Sequence, residues 1–73
     1  MKIMRKENID ILKELYMDEY CINDLEKKVD HVHSEKRSDY SMGYYMGYIY
    51  SLYDFGHINN DDLDSLASEV EEP

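Results

Sequence analysis

Apolar residues recur at helical spacing along most of the chain. Between Asn8 and Tyr20, Ile9, Leu12 and Tyr16 fall on one row and Ile11 and Leu15 beside it, with Asp10, Lys13, Glu14 and Asp18 between them. That pattern predicts an amphipathic helix of about three turns, starting somewhere from Arg5 to Asn8. Cys21 and Ile22 are expected to connect it to a second helix. Asn23 is a good N-cap, and Glu26 three residues later completes a capping-box pair. Leu25, Val29 and Val32 then form a narrow apolar stripe. The run from His33 to Asp39, HSEKRSD, is wholly polar and holds neither Gly nor Pro.

At about 100° per residue, Met42, Tyr45, Met46, Ile49, Leu52 and Tyr53 share one face of the next segment. Projected along the same helix, Leu25, Val29 and Val32 point elsewhere, toward the side of Gly43 and Gly47. Either the helix breaks near Ser34 to Ser38, or one long helix spans residues 23–55 and serves two packing partners. The segment is nearly apolar all round, with Gly43, Gly47 and Ser51 as a strip of small residues flanked by Tyr40, Tyr44 and Tyr48. A core stripe and a second, aromatic contact surface are therefore expected on one helix, with the small residues serving helix packing or a dimer. Each glycine costs roughly 1 kcal/mol relative to alanine in a helix interior, which close backbone approach would explain.

Gly56 is placed to end this helix in a left-handed turn. Beyond it, Ile58 precedes the N-cap Asn59, Asp62 sits at the third helical position and Leu63 at the fourth. This combines a capping signal with a hydrophobic staple. Asp61, Asp62 and Asp64 suit the positive end of the helix dipole, and Leu63, Leu66, Ala67 and Val70 supply a buried face. The whole predicts one all-α domain, residues 1–73, a bundle of three or four helices. At 73 residues it lies near the lower limit for a self-sufficient core.

Charge narrows the partners. The formal net charge is −9, and all eight Lys and Arg lie at or before Arg37. From Ser38 onward stand Asp39, Asp54, Asp61, Asp62, Asp64, Glu69, Glu71 and Glu72 with no compensating base. A nucleic-acid binder must neutralise phosphates with cations, so direct nucleic-acid binding is not expected, and a basic protein is the better partner. The acidic helix from Asn59 is likewise a poor recognition helix. Cys21 is the sole cysteine, which excludes an intramolecular disulfide and points to a reducing compartment. No apolar run of signal-peptide or membrane-spanning length occurs, so the expected location is cytoplasmic, with no membrane partner.

Candidate chemistry is sparse. Cys21, His31, His33 and His57 lack the paired spacing of a zinc site, and His31 and His33 face different ways on a helix. Asn60, Asp62, Asp64 and Glu71 match positions 1, 3, 5 and 12 of a calcium loop, but Ser65 occupies the place of its glycine. No nucleophile, phosphate loop or paired carboxylates stand in a catalytic pattern, so neither an enzyme nor a cofactor is expected. The tyrosines weigh more. There are eight, six of them between Tyr40 and Tyr53, which is more than one small core absorbs. Tyrosine carries large contact area at low entropic cost and is enriched at interfaces.

The pattern Tyr-x-x-Gly-Tyr-Ile-x-x-Leu-x-x-x-Gly-x-Ile-Asn-x-x-Asp-x-x-x-Leu, from Tyr44 to Leu66, resembles the helix-turn-helix-shaped ends of small phage and mobile-element proteins. With its size, acidity and lone cysteine, the chain resembles the inhibitors that phages make against host defence, of the anti-CRISPR and anti-restriction kind. The resemblance implies a non-enzymatic inhibitor of a basic, nucleic-acid-handling host protein, acting in part by phosphate mimicry in the host cytoplasm. Its motif is a folding signal and carries over no functional residue. On the residues themselves, Tyr40, Tyr44, Tyr48 and Tyr50 would supply contact area. Asp54, Asp61, Asp62, Asp64, Glu69, Glu71 and Glu72 would supply charge. The alternative is a structural or regulatory interaction protein that dimerises through its tyrosine and glycine helix, its acids being only a solubilising coat.

Overall fold

A computed structural model describes residues 4–34 and 39–71 of the chain. They form four helices, α1 (Lys6–Glu14), α2 (Glu19–His33), α3 (Asp39–Asp54) and α4 (Asn60–Glu71), with no strand among the described residues. The architecture is a small all-α bundle. The α2–α3 hairpin is its largest interface, α4 packs on both, and α1 lies across α2 and α4. None of the described helices is long and apolar enough to cross a membrane.

The second half forms as its local signals dictate. Gly56 adopts φ 78°, the His57 N–H reaches back to the Leu52 carbonyl at 2.8 Å, and the Gly56 N–H reaches that of Tyr53 at 3.0 Å. These two bonds are a Schellman closure, which needs a left-handed residue at the turn. Asn59 Oδ1 then accepts from the Asp62 N–H at 2.8 Å, capping α4. Ile58 is buried ahead of the cap, and Leu63 packs half-buried against the same core.

The first half departs from the expected boundaries. α1 ends at Glu14, not Tyr20, and the second helix starts five residues before its expected first residue. Asp18, not Asn23, is the N-cap, and its carboxylate accepts from the Tyr20 N–H at 2.7 Å. Cys21, Ile22, Asn23 and Glu26 all lie within α2. The physical reason is Ile22, which is buried and extends the Leu25, Val29, Val32 stripe by one turn. Burying it stabilises by about 1.5–3 kcal/mol, more than the roughly 1 kcal/mol of a capping interaction at Asn23.

α2 ends at His33, and Ser34 turns out of it with an extended ψ of 167°. The helix is therefore broken, as one of the two expected arrangements has it. The remainder of the polar run, residues 35–38, lies outside the described residues.

Tyr16 is the other departure. Expected on the apolar stripe of the first helix, it is 96% exposed and has φ 57°, the left-handed position that closes α1. Its N–H bonds the Lys13 carbonyl at 3.0 Å. A side chain in that region costs roughly 1–2 kcal/mol relative to glycine. Tyr16→Gly is therefore expected to stabilise the fold by about 0.5–1 kcal/mol once the added freedom of the unfolded chain is counted. The urea midpoint measures it, and a decrease would contradict the turn geometry.

The core comprises Met4, Leu12, Ile22, Leu25, Val29, Val32, Tyr45, Ile49, Ile58, Leu66, Ala67 and Val70. Two polar ties lock it. Tyr45 Oη donates to the Leu66 carbonyl at 2.8 Å, joining α3 to α4. His33 Nε2 donates to the Glu69 carbonyl, joining the end of α2 to the last turn of α4.

Candidate partner-binding surface

α3 has two faces, and they do different things. Tyr45 and Ile49 are fully buried, while Met42, Met46, Tyr48, Leu52 and Tyr53 pack half-buried around them. The opposite face carries Gly43, Gly47, Ser51 and Asp54 along its middle, Tyr40 and Tyr44 on one flank and Tyr50 on the other. All seven are exposed, Tyr40 at 71%, Tyr44 at 40% and Tyr50 at 46%. Of the four tyrosines expected at the surface, Tyr48 alone leans into the core. A Cβ added at Gly43 or Gly47 meets nothing within 4 Å. Among the described residues no close approach accounts for either glycine.

α2 and α3 run antiparallel, His31 meeting Ser41 at one end while Tyr20 and Asp24 face Tyr48 and Tyr44 farther along. Residues at i, i+4 and i+8 form one row on a helix, so Tyr20, Asp24 and Lys28 of α2 share a side. Lys28 Nζ bonds Asp24 Oδ1 at 3.0 Å and lies 4.7 Å from the centre of the Tyr44 ring. The Tyr40 and Tyr44 rings tilt together with centroids 6.1 Å apart. The Lys28 ammonium bonded to it holds the Asp24 carboxyl below its ordinary 3.8, helped by a bond from the Tyr44 hydroxyl. The Asp24 charge in turn raises the Tyr44 phenol above its ordinary 10.0. Between the rows opens a cleft of about 140 Å³ lined by Tyr20, Cys21, Asp24, Leu25, Tyr44 and Tyr48.

The carboxylates expected to join this surface divide. Asp54, Asp61, Asp64 and Glu71 are exposed and Asp62 is half-buried, whereas Glu72 lies outside the described residues. Asp54, Asp61, Asp62 and Asp64 flank the turn between α3 and α4. Along α3 that turn is about 21 Å from Tyr40 at a rise of 1.5 Å per residue. The acids thus adjoin the tyrosine face at its C-terminal end, where Asp54 lies one turn from Tyr50, while Tyr40 and Tyr44 stand farther along α3.

Glu69 belongs to neither and is a correction. It is 2% exposed, and its Oε2 accepts from Asn8 Nδ2 at 2.6 Å and from the Arg5 backbone N–H at 2.8 Å. The Arg5 guanidinium stands 3.8 Å away. Asn8 is itself fully buried. It also donates to the Ser65 carbonyl at 3.1 Å and accepts from Ser65 Oγ at 2.6 Å. Arg5 Nη2 reaches the Ser65 carbonyl and Ser68 Oγ. A carboxylate so enclosed offers no charge to a partner; it fastens α1 to α4.

Tyr20 and Phe55, 81% and 80% exposed, and the Asp24–Lys28 pair were not among the expected surface residues. The signal for the α2 row is its i+4 spacing, which becomes visible only once the helix begins at Glu19, capped by Asp18. Among the described residues no three His, Cys, Asp or Glu side chains group so as to hold a metal ion. His31 Nδ1 lies 3.3 Å from Ser41 Oγ, and His33 is engaged with Glu69. In comparisons with known proteins, no family model, curated protein or solved structure matches the chain.

Proposed function

We propose that the protein is a non-enzymatic inhibitor, of the kind phages and mobile elements direct at host defence, that binds a basic nucleic-acid-handling protein. The observation that carries this reading is the outward face of α3. It presents Tyr40, Tyr44 and Tyr50 to solvent beside glycines that no close approach among the described residues explains, on a chain of net charge −9. Tyrosines supply desolvated contact area, and the carboxylates around the α3–α4 turn steer encounter with a cationic surface.

Exposed charges are screened over about 8 Å at physiological ionic strength, so binding of this kind weakens steeply with salt. Tagged protein is expected to capture a nucleic-acid enzyme from host lysate at low salt and release it at high salt. Reversing the exposed Asp61 and Asp64 to lysine is expected to abolish capture, and circular dichroism checks that α4 survives the loss of favourable charges at its N-terminal end. Capture unaffected by both salt and charge reversal would refute the charge-steered mechanism.

A second reading is a homodimer through α3, favoured by the open space over Gly43 and Gly47. Backbones can approach closely over such a strip. Sedimentation of the purified protein separates the readings. A dimer dissociated by Gly47→Leu supports self-association, and a monomer at all concentrations excludes it.

A further inference from the structure

We propose that two copies of this chain dimerise by exchanging α1. The chain opens at residues 15–18, α1 and α2 become one continuous helix, and each α1 docks on α2 and α4 of the other copy. The inference goes beyond the inhibitor reading and does not depend on it.

The hinge carries the first argument. Leu15 to Asp18 turn α1 back onto the bundle, yet neither Gly nor Pro occurs anywhere from Lys6 to His33. Helices commonly stop on one of the two. Here the stop falls on Tyr16, which holds φ 57° with its ring 96% exposed. A bulky side chain in the left-handed region is strained, and no burial of the ring offsets that strain. Straightening the hinge relieves it. The Asp18 cap is given up, but the last carbonyls of α1 and the first N–H groups of α2 then become one another's helical partners. A short hinge under strain is the setting in which exchange of an element is favoured.

Register favours the straight form too. Ile22, Leu25, Val29 and Val32 are the buried stripe of α2. Leu15 and Ile11 stand seven and eleven residues before Ile22, the same row of an unbroken helix. Both are only half-buried while α1 is folded back. One helix over residues 6–33 is about 42 Å long, which carries α1 past the end of α2 and away from its own α4.

The place that α1 leaves is specific to it. Leu12 and Asn8 are fully buried there, and Glu69 is 2% exposed. Asn8 Nδ2 donates to Glu69 Oε2 and Ser65 Oγ donates to Asn8 Oδ1, each at 2.6 Å. An opened chain exposes this socket, and only another α1 brings the same donor, acceptor and apolar groups back to it. The occupant is therefore a second copy, each giving and receiving one helix across a two-fold axis. Because the exchange remakes the α1 contacts between copies, the relief at Tyr16 tips the balance toward the dimer.

The test is sedimentation of the full chain after refolding from urea at millimolar concentration, where a dimer is expected. In a dimer assembled from two differently isotope-labelled batches, NOEs are expected between the Asn8 side-chain amide of one copy and Ser65 of the other. Tyr16→Gly relaxes the closed turn and weakens the continuous helix in both copies, so dimerisation should weaken about a hundredfold. Tyr16→Ala keeps the strain and raises helix propensity, so it should tighten dimerisation about fivefold. A purely local role in the turn would leave the oligomeric state unmoved by either. Gly47→Leu, which disrupts a dimer through α3, should leave the exchanged dimer unchanged. Mixing Asn8→Ala chains with Glu69→Ala chains gives a further readout, since only exchange unites the intact Asn8 of one with the intact Glu69 of the other. The refolded mixture should melt higher than either variant alone, and no gain counts against exchange. A monomer at every concentration overturns the proposal, as does a dimer without the Asn8 to Ser65 signal between copies.

Discussion

Glu69→Ala is expected to cost about 2–4 kcal/mol, because it strands the buried Asn8 amide and the part-buried Arg5 backbone N–H that its carboxylate now satisfies. A domain of this size has roughly 4–11 kcal/mol of stability in all, so the variant should be mostly unfolded by mild heating. The loss has named parts. Glu69 Oε2 is the acceptor for Asn8 Nδ2 and for the Arg5 backbone N–H, and it balances the Arg5 guanidinium. Removing it leaves two donors facing a void in a site where both Asn8 and Glu69 are closed to water. An unsatisfied buried donor costs about 1–3 kcal/mol. Glu69→Gln keeps the volume and one acceptor oxygen but loses the charge, so it should fall between alanine and wild type. Circular dichroism during urea unfolding gives all three values. An alanine variant within about 1 kcal/mol of wild type would mean that the α1–α4 fastening contributes little to the fold.

This carboxylate also shows where sequence reading stops. Glu69 sits among Asp61, Asp62, Asp64 and Glu71, and a carboxylate in such company is ordinarily at the surface. Its acceptance into the core depends on Asn8, sixty-one residues away, and no local spacing reports that contact. Asn23 failed for the same kind of reason. Its capping pair with Glu26 is a sound local signal, yet Asp18 offers another, and burial of Ile22 decides between them. Where local and long-range terms agree, the structure was legible. Gly56 and Asn59 are a stop and a start, the apolar residues after them form one face, and the α3–α4 turn follows them residue by residue. The switch of apolar face between Val32 and Met42 was equally readable, because a change of packing partner is a wheel-angle property, and Ser34 marks the break. The candidate surface was half legible. Tyr40, Tyr44 and Tyr50 follow from the geometry of one helix, whereas Tyr20, Asp24 and Lys28 join them only through the antiparallel pairing of two.

The tyrosines of α3 are expected to separate into two classes on mutation, and Tyr45 defines the first. It is the largest fully buried side chain of the core, and its hydroxyl bonds the Leu66 carbonyl at 2.8 Å. Tyr45→Ala should cost about 3–5 kcal/mol, the usual range for deleting a buried aromatic ring. Tyr45→Phe keeps the packing and gives up one hydrogen bond, about 1 kcal/mol, since the Leu66 carbonyl retains its partner one helical turn on. Tyr40→Ala and Tyr44→Ala remove exposed rings and should each stay within about 1 kcal/mol of wild type. Alkaline titration sharpens the contrast. Burial, reinforced by the Glu69 charge, raises the Tyr45 phenol well above its ordinary 10.0. A group raised in the folded state gives its full stabilisation below its unfolded value, and that stabilisation drains away as pH climbs toward the folded one. Wild-type protein should therefore lose stability progressively above pH 10, because unfolding lets Tyr45 ionise. In Tyr45→Phe that slope should be shallower. An alkaline slope unchanged by Tyr45→Phe would place the buried phenol in contact with water, and the core drawn around it would be wrong.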